Sequence, residues 1–70
     1  MKRTLLKSEK FGNRKVLFWE NDLEENAWAY SVNVVDEDDL DFVRFQNMDT
    51  LEEGEKYYAL FCELIGAGGR

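Results

Sequence analysis

The stretch AWAYSVNVVDEDDLDFVRFQNM, residues 27–48, reads as two extended runs separated by a block of acid. In Ala27–Val35, Trp28, Tyr30, Val32 and Val34 alternate with Ala27, Ala29, Ser31 and Asn33. A period of two marks a strand with one buried face. Leu40–Met48 alternates less clearly, with Val43 and Phe45 on one face and Leu40, Phe42, Arg44, Gln46 and Met48 on the other. Between the runs, Asp36, Glu37, Asp38, Asp39 and Asp41 crowd five carboxylates into six positions, a density suited to a hydrated loop tip. Pairing Val35 with Leu40 collects Trp28, Tyr30, Val32, Val34, Val43 and Phe45 on one face. A one-residue slip would put Arg44 and Gln46 there instead, so the first register is predicted.

Two further strands precede this hairpin. Thr4–Phe11 and Arg14–Glu20 flank Gly12-Asn13, a pair that favours a two-residue hairpin turn, and residues 21–26 form a polar loop. Trp19 opposite Trp28, Leu17 opposite Tyr30, and Leu6 then extend the aromatic face.

A helix follows. Asp49 and Thr50 are N-cap candidates, and Thr50-Leu-Glu-Glu53 has the spacing of a capping box. Glu52, Glu53 and Glu55 suit the positive end of the helix dipole. Leu51, Gly54, Tyr58, Phe61, Cys62 and Ile65 form one stripe, and Gly66 is the expected stop. Glycine at position 54 costs about 1 kcal/mol relative to alanine. It is either tolerated drift or a close approach to a bulky residue such as Trp28 or Trp19.

These elements predict an α+β fold: a four-stranded antiparallel meander in order 1-2-3-4 with one C-terminal helix packed on one face. A three-stranded sheet with a separate first segment is the alternative. The expected domain spans residues 1–65, with 66–70 as a flexible tail. Seventy residues lie near the lower limit for a core without disulfides or metal, but 44% apolar and 14% aromatic content supply enough bulk. A single cysteine excludes an internal disulfide framework, and no signal peptide or membrane span is readable. A soluble, cytoplasmic protein is the expectation.

Charge is unevenly spread within the net −6. Residues 1–15 hold six bases and one acid, and residues 16–55 one base and thirteen acids. An acidic middle repels nucleic acid and membrane surfaces and attracts basic partners. The bases Lys2, Arg3, Lys7, Lys10, Arg14 and Lys15 read as protection of an edge strand.

Catalytic signatures are missing. There is no histidine, Ser8 and Ser31 lack a base nearby in sequence, and Cys62 sits on the apolar stripe. No zinc spacing or phosphate-binding glycine loop occurs, and a calcium loop beginning at Asp36 fails because position five is Leu40 and no glycine follows. No enzyme activity, cofactor or metal is expected.

The opposite sheet face is semi-apolar. Val16, Phe18, Leu40 and Phe42 are predicted to lie on it, uncovered by any remaining element and available to a homodimer or another protein. The functional expectation is a small acidic binding module, an inhibitor or adaptor occupying a basic surface of a partner protein such as one that binds nucleic acid. Its candidate contacts are Asp36, Glu37, Asp38, Asp39 and Asp41, supported by Asp22, Glu24 and Glu25. Fixed carboxylates offer spaced anions to lysine and arginine much as phosphates do. In size and charge alone the chain is similar to small phage-encoded inhibitors of nucleic-acid-handling proteins. A homodimeric assembly subunit is the alternative.

Overall fold

The computed structural model describes residues 3–24 and 27–68. Strands β1 (Arg3–Phe11), β2 (Arg14–Asn21), β3 (Tyr30–Asp36) and β4 (Val43–Met48) precede helix α1 (Leu51–Gly68). They form one antiparallel sheet in the order β1-β2-β3-β4, as the meander reading requires. Gly12 makes the first hairpin possible with φ of +62°, a conformation that costs glycine little.

The expected register between β3 and β4 is corrected. Val35 pairs with Val43, not Leu40, and Tyr30 with Met48. Val32 and Val34 therefore share their face with Gln46 and Arg44, and Phe45 moves to the opposite side, 65% exposed. The reason lies in the acidic loop. The Asp36 carboxylate accepts the amides of Asp38 (2.8 Å) and Asp39 (3.2 Å), and the Asp39 carboxylate accepts that of Asp41 (3.1 Å). These Asx-type turns hold the backbone out of the ladder until Val43.

β2 is corrected in the same way. Val16 opposes Val34 and Phe18 opposes Val32, so Val16 and Phe18 lie beneath the helix and not on an open face. With Val32, Val34 and Met48 they form the fully buried core, ringed by Phe11, Tyr30, Phe42, Tyr57, Tyr58, Phe61, Cys62 and Ile65. Leu40 stands at the loop tip, 86% exposed, and Phe42 is partly buried at the core's edge. Trp19 takes the other face, where its indole N–H donates to Asn33 Oδ1 at 2.8 Å and the Arg3 guanidinium lies 3.9 Å above its ring. A tryptophan bonded at its polar end is stable while partly exposed; a flat Val-Phe-Val surface packs better beneath a helix.

In β1 the register shifts between Leu5 and Lys7, making Leu6 the extra residue of a bulge. Leu6 is consequently exposed rather than core-facing. Lys7, Glu9 and Phe11 then oppose Phe18, Val16 and Arg14 on the helix side.

The helix begins as its capping box dictates. Thr50 Oγ1 accepts the Glu53 amide and donates to the Glu53 carboxylate, both at 3.2 Å. Gly66 does not end the helix, which continues to Gly68. A Cβ at position 66 would stand 3.0 Å from the Phe11 ring, so the absent side chain lets the last turn rest on the first hairpin. Residues 69 and 70 of the expected tail lie outside the described residues.

Candidate functional site

A meander puts the β1–β2 and β3–β4 turns at one end of the sheet, and the β2–β3 loop with the helix start at the other. Those two ends carry most of the acid, and they differ in what surrounds it.

At the first end, the acidic loop docks on the basic hairpin. The Arg14 guanidinium donates to Asp36 Oδ2 at 3.0 Å, and Lys10 pairs with Glu37 at 3.0 Å. The Asn13 side-chain amide donates to the Asp38 carboxylate, and the Glu37 amide donates to the Asn13 carbonyl at 2.8 Å. The Arg14 hydrogen bond, helped by the amides of Asp38 and Asp39, holds the Asp36 carboxyl below its ordinary range. Arg14 also lies 4.1 Å over the Phe42 ring, joining the charge network to the core's edge. Of the five predicted contact carboxylates, Asp36, Glu37 and Asp38 thus have partners on the first hairpin, while Asp39 bonds within its own loop and sits exposed with Asp41 at the tip. Sequence reasoning missed this pairing. The signal was present, because a meander with a basic first turn and an acidic third turn must bring the two together.

The second end is different. Glu20, Asp22 and Glu24 on the β2–β3 side lie at the same end of the meander as Asp49, Glu52, Glu53 and Glu55 of the helix start. Glu25, a predicted supporting contact, lies outside the described residues. Asp22 accepts the Glu24 amide at 2.9 Å, and Tyr30 reaches Glu20 at 3.5 Å. A shallow cleft of about 550 Å³ opens here, bounded by Arg3, Glu20, Asp22 and Tyr30. Asn21, the one buried polar residue among the described residues, also lines it, and its side-chain amide donates to the Trp28 carbonyl (3.1 Å) and to Ser31 Oγ (2.8 Å). Ser31 passes the bond on to Asn47 Oδ1 at 2.8 Å. The chain of side-chain bonds runs across three strands, and among the described residues no buried side-chain nitrogen or oxygen lacks a partner.

The sheet face away from the helix carries Leu5, Leu17, Trp19, Val35 and Phe45 around Ser31, Asn33 and Asn47. Among the described residues no element covers it. Val16, Phe18, Leu40 and Phe42, expected on the open face, thus lie in the core, at its edge or at the loop tip, and a different set of residues occupies that face.

Cys62, Tyr58 and Glu9 meet on the helix side. Burial pushes the Cys62 thiol above its ordinary value, and burial followed by the Cys62 contact pushes Tyr58 up to about 12. Both stay protonated at neutral pH, the reverse of what a nucleophile needs. Among the described residues no group of acids and cysteine has the geometry to hold a metal ion, and no helix is long and apolar enough to cross a membrane. No protein-family model matches the chain, and comparison with curated proteins and with solved structures gives no match.

Proposed function

We propose that this protein is a small acidic binding module that docks on a basic surface of a partner protein, acting as an inhibitor or adaptor. The observation that carries the reading is the unequal neutralisation of its two acidic ends. Lys10, Asn13 and Arg14 occupy Asp36, Glu37 and Asp38 of the β3–β4 loop, which leaves Asp39 and Asp41 there and the larger share of the excess negative charge at the helix start and the β2–β3 loop. There, Glu20, Glu24, Asp49, Glu52, Glu53 and Glu55 are exposed. Such a concentrated field speeds encounter with a basic surface and weakens as salt screens it over ~8 Å at physiological ionic strength. A nucleic-acid-binding partner fits because its surface is already complementary to spaced anions.

The test is affinity capture of host proteins by wild-type protein and by a Glu24→Gln, Asp49→Asn, Glu52→Gln, Glu55→Gln variant, which spares the Thr50–Glu53 cap. A captured partner should be released by salt, be displaced by duplex DNA, and associate at least about tenfold more slowly with the variant. Equal rates and equal salt dependence for the two proteins would refute the reading.

A homodimer formed through the open face is the second reading. It is favoured by one observation, the 65% exposure of Phe45 on a sheet face that no element among the described residues covers. Sedimentation of wild type against Phe45→Glu decides it, since a concentration-independent monomer in both cases excludes the dimer.

A further inference from the structure

The two edges of the sheet are not equally defended. β1 carries a bulge at Leu6 and the edge charges Arg3, Lys7 and Lys10, devices that discourage another strand from adding. β4 has neither. Its six residues pair with β3 in unbroken register, and Arg44 is its single charge. Arg44, Phe45 and Gln46 are exposed on both faces of the sheet, and the Asn47 carbonyl takes a hydrogen bond from the Gln46 side chain at 3.2 Å. A side chain serving its own strand's carbonyl is what an edge without a neighbouring strand offers.

Acid flanks this open edge on both sides. Asp39 and Asp41 stand just before Val43, and Asp49 and Glu52 just after Met48, all of them exposed. We infer that β4 accepts an extended segment of the partner protein as a fifth strand, the segment having a neutral, β-prone centre and basic residues at both ends. This rests on the acidic-module reading and specifies how the partner is held. Main-chain hydrogen bonds to β4 supply the affinity, and a guest side chain opposite Phe45 covers its ring as a cross-strand pair. The centre is neutral because Arg44 faces it, and the flanks are basic because four carboxylates do. At about 3.4 Å per residue the six-residue strand spans roughly 20 Å, which sets the distance between the two basic clusters. A second copy of β4 satisfies the edge less well. Antiparallel self-pairing would bring Asp39 and Asp41 of one copy toward Asp49 and Glu52 of the other, setting like charges together.

The probe is a fluorescent peptide with an alternating valine–threonine centre matched to β4 and lysine pairs at both ends. A second peptide of identical sequence carries N-methyl groups on alternate central amides, which removes ladder donors and keeps the charge. Binding should fall at least about tenfold on methylation, and the parent should protect the amides of residues 43–48 from hydrogen exchange. The Asp41→Asn, Asp49→Asn variant should bind the parent several-fold more weakly with a flatter salt dependence. Equal binding of the two peptides would overturn strand addition while leaving the acidic-module reading intact, as would protection confined to the open face. Failure of the parent to bind at micromolar concentration overturns the inference, and the capture experiment then judges the module reading independently. Protection of residues 43–48 that grows with protein concentration in the absence of peptide would replace the partner segment with a second copy.

Discussion

Gly54 lies directly against the ring of Phe18: a Cβ at position 54 would stand 2.6 Å from both Cε1 and Cζ. Phe18 is 1% exposed and also meets Tyr58 and Tyr30 at centroid separations of 5.9 and 6.1 Å, so its ring has nowhere to retreat. Alanine improves helix propensity by about 1 kcal/mol. Overpacking a tight core costs typically ~1–3 kcal/mol, so Gly54→Ala is expected to lower the urea midpoint. Adding Phe18→Leu should recover part of the loss, because it vacates the colliding atoms. A Gly54→Ala protein more stable than wild type would show that the helix rides higher over the sheet.

Gly66 supplies the internal comparison. Its nearest contact is also a ring, at 3.0 Å, but Phe11 is only partly buried at the hairpin end and can shift by the few tenths of an ångström required. Gly66→Ala should therefore be close to neutral or mildly stabilising in the same denaturation assay. Parallel behaviour of the two alanine variants would mean that helix propensity, not ring contact, governs both sites.

Asn21 ties the β2–β3 loop to the sheet through Trp28 and Ser31, and its amide N–H donates to the Ala29 carbonyl at 2.8 Å. Replacing it by alanine strands a backbone carbonyl and a hydroxyl, at a cost of about 1–3 kcal/mol. Hydrogen exchange should quicken first at residues 27–31, ahead of global unfolding. Uniform loss of protection across the sheet would deny the ladder its local role.

The Tyr58–Cys62 contact predicts alkaline sensitivity. Both groups titrate higher in the folded chain than in the unfolded one, Tyr58 at about 12. Stability from a raised acid is fully present below the unfolded value and lost as pH rises through the folded value. The urea midpoint should hold through neutral pH and decline between about pH 9 and 12, with Tyr58→Phe flattening the decline. An undiminished slope in Tyr58→Phe would assign the loss to other groups.

Element order and type were readable because their signals are local: the alternation of residues 28–34, the turn at Gly12-Asn13, and the capping box at Thr50. Face assignment was not. Val16-Leu-Phe-Trp19 is apolar without alternation, so its parity depends on whether the helix rests on phenylalanine or tryptophan. That choice is made by Gly54 and by the hydrogen bond available to the Trp19 indole from Asn33, both features of tertiary structure. The β3–β4 register failed for a similar reason. Leu40 and Phe42 resemble strand residues, yet the carboxylates of Asp36 and Asp39 bind the loop amides and delay the ladder to Val43. The same carboxylates looked free in sequence and are partly occupied in space.

That occupancy gives the acidic loop a measurable structural role. Asp36 titrates below its ordinary value because the Arg14 guanidinium and two loop amides bind the charged form. A depressed carboxyl stabilises the fold above the unfolded pKa, and that contribution is lost as pH falls through the folded one. Asp36→Asn should therefore lower the denaturation midpoint by a constant amount above about pH 4, the difference shrinking as acid protonates the wild-type group. Joint replacement of Asp36, Asp38 and Asp39 by asparagine should go further, removing the carboxylates bound by Arg14 and Asn13 and speeding hydrogen exchange at residues 36–42. If the triple variant matched wild type at every pH, the contacts at Arg14 and Asn13 would carry no net stability. The loop would then be held by its backbone bond from Glu37 to Asn13 and by the Lys10–Glu37 ion pair.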